Sequence, residues 1–141
     1  MSDQDDVRAA SRNFYAALSR MCEGEAGSMA AVWSHEADVT ALHPLGGRAV
    51  GWDAVGGSFD QAAAISTGGK VALEEQLIRV SGDLAFEVGV ERGRATMGGK
   101  ELTLDQRVTN IYARKAGKWL MVHHHSDLSQ AMADMVAGLK R

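Results

Sequence analysis

Three consecutive histidines, His123, His124 and His125, end the apolar run WLMVHHH, and the chain holds only two more, His35 and His43. Imidazole titrates near neutral pH and binds metals, so the run invites either proton transfer or metal ligation. A His-x-His pair made by His123 and His125 needs a third ligand, and the sequence has no Cys/His cluster and no HExxH helix. No metal is therefore expected. No cofactor is expected either, because phosphate loops, nucleotide fingerprints and nucleophile motifs are missing from the sequence. Glu87 and Glu91 are candidate general bases if burial raises their pKa; otherwise they form a solvated strand face. His124 and Asn110 are candidates for orienting a ligand or moving a proton, against the plainer possibility of a satisfied core histidine. His43 precedes a glycine turn, a position that often rims a pocket. Tyr15, Trp33, Trp52 and Phe59 could wall a cavity or simply fill the core. Cys22, between Met21 and Glu23, has no cation beside it in sequence and reads as an inert thiol.

These residues must be positioned by helices first and strands second. Ser2 with three acids behind it is a helix start, and Val7, Ala10, Phe14, Ala17, Leu18 and Met21 recur at helical spacing. GEAG at 24–27 ends that helix, and a short one over 28–33 is expected next. VTALH at 39–43 is β-like up to Pro44, and Trp52, Val55 and Phe59 suggest a further helix. From residue 71 the period becomes two: strands at 71–80, 84–93, 102–114 and 119–126 are joined by short links, which predicts an antiparallel meander. Leu128, Met132, Met135, Val136 and Leu139 form a final helical stripe, with Asp127 and Gln130 as a capping box and Lys140 and Arg141 at its end. The order predicts one α+β domain over residues 1–141.

Composition bounds the partners. With 45% hydrophobic and 23% charged residues, 141 residues suffice for one buried core. A net charge of −3 gives no electrostatic reason to expect nucleic acid or an anionic membrane. The single cysteine excludes an intrachain disulfide, the N-terminus has no apolar signal region, and no apolar run reaches transmembrane length. A cytoplasmic location is expected.

HPLGGRAVGWDAV at 43–55, GDLAFEVG at 82–89 and VTNIYARKAGKWLMVHHHSD at 108–127 resemble the SnoaL-like group of the nuclear transport factor 2-like superfamily, which includes ketosteroid isomerase, scytalone dehydratase and the association domain of calcium/calmodulin-dependent kinase. The resemblance implies a cone-shaped barrel: a curved antiparallel sheet packed on N-terminal helices, with a C-terminal helix, a pocket at the open end and commonly a dimer through the outer sheet face. It is specific for fold and weak for chemistry. Glu91, Asn110 and Ser126 fall where the kinase domain's pocket arginines are implied, which removes the reason to expect an acidic ligand. Asp105 and Arg107 weakly resemble the Asp–Arg–Asp arrangement of limonene epoxide hydrolase, another member of the superfamily, but their strand face is expected to be exterior.

Face assignments follow from alternation. In 102–112 the even positions, including Gln106 and Asn110, are the drier set and should face inward. Pattern alone turns Glu87 and Glu91 to solvent; the resemblance turns them inward and sends Phe86, Val88 and Val90 to the outer face, and the inward placement is the one expected. In 118–126 both faces are apolar. A three-residue loop pairing Arg114 with Lys118 would make Asn110 and His124 diagonal inward neighbours. Trp119, Met121, His123 and His125 would then face outward, toward a second subunit. The expected function is a homodimeric pocket protein for a small, largely apolar ligand; the alternative is a cofactor-independent isomerase, cyclase or dehydratase using Glu91 or His124 as the base.

Overall fold

The computed structural model describes residues 2–140; Met1 and Arg141 lie outside the described residues, and with Arg141 part of the charge expected at the last helix end. Helix α1 (Asp3–Cys22) starts where Ser2 accepts a hydrogen bond from the Asp5 amide at 3.1 Å and Asp5 answers through the Ser2 amide, a complete capping box. Val7, Ser11, Phe14, Leu18 and Cys22 follow at intervals of three or four and bury one stripe. Residues 28–33 form turns rather than the expected short helix, and Trp33 makes an isolated bridge to Met121.

Strands β1 (Thr40–Leu42) and β2 (Arg48–Val50) form a small hairpin across the PLGG turn; β2 was not anticipated from the sequence. Helix α2 (Trp52–Ala64) buries Val55, Phe59 and Ala63. The meander follows as β3 (Ser66–Ser81), β4 (Leu84–Met97), β5 (Lys100–Lys115) and β6 (Lys118–Ser126), each longer than or equal to its expected span. Helix α3 (Gln130–Leu139) is capped by Ser129 accepting from the Met132 amide, not by Asp127, which instead binds Arg107 at 2.8 Å.

The fold is α+β. One curved sheet runs β2-β1-β6-β5-β4-β3, antiparallel except where β1 lies parallel to β6, and its two edge strands do not join. The helices pack on its concave side, and Phe14, Trp33, Val39, Met121 and Tyr112 are sealed between the layers. No helix among the described residues is long and apolar enough to cross a membrane.

The β5–β6 hairpin corrects the expected register. Lys115 pairs with Lys118 across a two-residue loop, with Ala116 at φ 51° and Gly117 at φ 77°, the left-handed pair of a type I′ turn. From Ile111↔His123 onward the pairing is displaced by one residue, so Val122 is a bulge. The bulge reverses the side-chain phase of β6. Trp119 and Met121 point into the core before it, which overturns their placement on the outer face; His124 and Ser126 point inward after it. Asn110 lies directly opposite His124 rather than diagonal to it.

Candidate functional site

Direct cross-strand pairing gathers the polar residues on the concave face. Glu91 sits opposite Gln106, Glu87 opposite Asn110, and Asn110 opposite His124. Residues paired in this way share a face, so three adjacent strands, β4, β5 and β6, deliver one buried polar patch. A second bulge, at Glu75 and Gln76 of β3, lets Gln76 reach Glu87 at 2.6 Å.

Two carboxylates anchor the patch. Glu87, fully buried, accepts hydrogen bonds from Gln76 Nε2 (2.6 Å), Tyr112 Oη (2.8 Å) and Asn110 Nδ2 (3.0 Å). Glu91 accepts from Tyr15 Oη (2.8 Å), Ser126 Oγ (2.9 Å) and Gln106 Nε2 (3.0 Å). Asn110 bridges them: its Nδ2 also donates to Tyr15 Oη at 3.0 Å, and its Oδ1 accepts from His124 Nδ1 at 2.6 Å. Burial raises the Glu91 pKa above its ordinary value, and the donors Gln106, Tyr15 and Ser126 oppose that rise. Burial likewise pushes His124 down to about 3 and His43 down to about 4, so both imidazoles are neutral at pH 7. Tyr15 is held well above its usual range by burial and then by Glu91.

Beside this patch lies a cavity of about 60 Å³. Glu91, His124, His43, Ser58 and Gln106 form its polar wall; Leu18, Met21, Phe59, Leu104, Met97 and Met132 are prominent in the apolar remainder. The His43 ring lies 4.8 Å from Phe59 and 6.3 Å from His124, and its Nε2 is 2.7 Å from Ser58 Oγ. His124 Nε2 is 4.0 Å from Glu91 Oε2. Met132 of α3 and the Pro44–Leu45 turn close one side, and the Ser129 amide ties the two together by donating to Pro44 O at 2.7 Å.

Of the residues singled out from sequence, Glu91, His124, His43 and Phe59 line the cavity. Tyr15, Glu87 and Asn110 do not; they stand behind it in the hydrogen-bonded patch. Trp33 is in the core beside Phe59, and Trp52 stacks on His35 with ring centroids 4.2 Å apart, so neither tryptophan reaches the cavity. Gln106 and Ser58 were not singled out. Gln106 was legible as a member of the drier β5 face, and Ser58 only from its place beside Phe59 on a buried helix face. His123 and His125 face outward with rings 6.2 Å apart, and among the described residues no three His, Cys, Asp or Glu side chains are grouped to hold a metal ion. Asp105 and Arg107 are exposed on the exterior. Cys22 touches the cavity, its thiol pushed up to about 11 by burial.

The sequence matches the SnoaL-like domain over residues 7–132. The chain belongs to the SnoaL-like family. Solved structures agree on this fold. A candidate dehydratase of the NTF2-like family from Streptomyces avermitilis is 24% identical, with a TM-score of 0.79 over 90% of this chain and 96% of that one. A candidate calcium/calmodulin-dependent protein kinase type II association domain from Thiobacillus denitrificans is 25% identical, with a TM-score of 0.71 over 87% and 94%. The corresponding hub of S. rosetta is 17% identical, with a TM-score of 0.72 over 92% and 98%. No curated protein matches this SnoaL-like chain in sequence.

Proposed function

We propose that this SnoaL-like chain binds a small, largely apolar, uncharged molecule in the cone. The observation that carries this is a mainly apolar cavity whose polar wall includes a buried carboxylate and two neutral imidazoles, with no Lys or Arg among its lining residues. An anion entering there would meet Glu91 with no compensating cation, at a steep desolvation penalty. Small neutral alcohols and phenols should therefore shift the NMR signals of the cavity saturably, while benzoate should not. Tighter binding of benzoate than of its neutral analogues would overturn the proposal.

A second reading has its own support: Glu91 lines the cavity with a raised pKa, the property of a general base. In that reading the bound molecule loses a proton to Glu91, giving isomerase, cyclase or dehydratase chemistry. On this second reading alone, cyclohexanone would undergo accelerated α-deuteration in D2O, lost in Glu91→Gln with binding retained. No acceleration by the wild type would remove this reading and leave the binding one.

A homodimer is part of the same proposal. Leu77 and Leu84 are each 54% exposed and Phe86 40% exposed, and Ile111, paired with Phe86, shares the sheet's outer face. Exposed apolar area of this kind favours burial against a second copy.

A further inference from the structure

The polar wall of the cavity holds more lone pairs than hydrogens. Ser58 Oγ donates to Val55 O at 2.6 Å and has no second hydrogen, so its 2.7 Å contact with His43 requires Nε2–H of His43 to donate. The neutral His43 then carries a lone pair on Nδ1, for which no partner exists among the described residues. The Asn110 amide is oriented by Nδ2 donating to Glu87 and Tyr15, so its Oδ1 must accept from Nδ1–H of His124. His124 therefore presents a lone pair on Nε2. Among the described residues its hydrogen-bond neighbour is Ser126 Oγ at 3.2 Å, and the one Ser126 hydrogen is shared with Glu91 Oε1 at 2.9 Å. Tyr15, which accepts from Asn110, must direct its own hydrogen to Glu91, so Glu91 too is an acceptor. Among the lining side chains, the second amide hydrogen of Gln106 and the weakly donating Cys22 thiol are the hydrogens left uncommitted.

We infer that the cavity selects a hydrogen-bond donor, a hydroxyl or an N–H group on a small apolar body, received by the lone pairs of His43 Nδ1, His124 Nε2 and Glu91. The inference rests on the ligand-binding reading above and narrows it. A ketone or nitrile of the same size would leave the lone pairs of His43 Nδ1 and His124 Nε2 without a donor, and would find only the Gln106 amide hydrogen and the weak Cys22 thiol for its own oxygen or nitrogen. Sites that hold buried polar groups reject analogues lacking the matching group far more strongly than apolar pockets reject a missing methylene. The methionines in the wall let it adapt to probes larger than the present space.

The test uses the full chain and three probes of similar size: phenol, which donates; benzonitrile, which only accepts; and fluorobenzene, which lacks a donor. Affinities come from chemical-shift titrations, and long-range proton–nitrogen spectra read the histidine tautomers without any ligand. The expected result is Nε2–H on His43, Nδ1–H on His124, and phenol binding at least about tenfold tighter than either other probe. Equal or tighter binding of benzonitrile or fluorobenzene, or the opposite tautomer on either histidine, would overturn the donor inference and leave the pocket standing. Failure of all three probes to bind would overturn the pocket and the inference together.

Discussion

At the residue scale, Asn110 is the joint of the polar patch. Three of its contacts serve groups that have no water to fall back on: Glu87, Tyr15 and His124 are all buried. Removing a partner from a buried polar group costs about 1–3 kcal/mol, so Asn110→Ala should lower unfolding stability by about 3 kcal/mol or more, measured by urea denaturation. Asp105→Ala, at an exposed ion pair with Arg92, should change it by less than about 0.5 kcal/mol. The histidines set an acid limit. His43 and His124 have folded pKa values of about 4 and about 3, against an ordinary 6.5. The unfolded chain binds protons that the folded one refuses, so stability is complete above pH 6.5 and falls as pH drops toward the folded values. At pH 5 each histidine should remove about 2 kcal/mol, and His124→Gln should flatten the profile between pH 7 and 5 in thermal denaturation. That Asn110 faces inward was legible from the dryness of the even β5 positions, whereas the inward placement expected for His124 rested on a three-residue loop that the two-residue turn replaces. The hydrogen-bonded partners were not, because a Glu, Gln or Ser on a strand carries no sequence mark of whom it meets across the sheet.

At the element scale, the bulge in β6 decides which chemistry faces the cavity. The Val122 bulge turns His124 and Ser126 inward while leaving Trp119 and Met121 in the core. Sequence could not give the phase of β6, since both its faces are apolar and alternation carries no information there. The long spans of β3, β4 and β5 were legible because their neighbours alternate and their turns are short; the three-residue strand β2 is too brief to show a period. Ala116 is the one non-glycine residue in the β5–β6 loop, at φ 51°. A Cβ in the left-handed region is strained, and Asn-Gly is the favoured type I′ pair, so Ala116→Asn should raise stability by about 1 kcal/mol in chemical denaturation. No gain, or a loss, would contradict the two-residue turn.

At the scale of the whole molecule, the concave face of the sheet closes over a small cavity, and its outer face leaves Leu77, Leu84 and Phe86 exposed. Phe86→Glu should place a charge in the proposed subunit contact and yield monomers by sedimentation at micromolar concentration, with the cavity unaltered. A wild type that sediments as a monomer would remove the dimer and leave the pocket. The cavity itself is best examined through its methionines. Met21, Met97 and Met132 line it, while Met29 and Met121 are buried elsewhere in the core. With methyl-labelled methionine, titration with phenol should shift the three lining methyls together along one saturating curve and leave Met29 and Met121 in place. Unmoved lining methyls at saturating phenol, or shifts confined to Met29 and Met121, would contradict a ligand site in the cone.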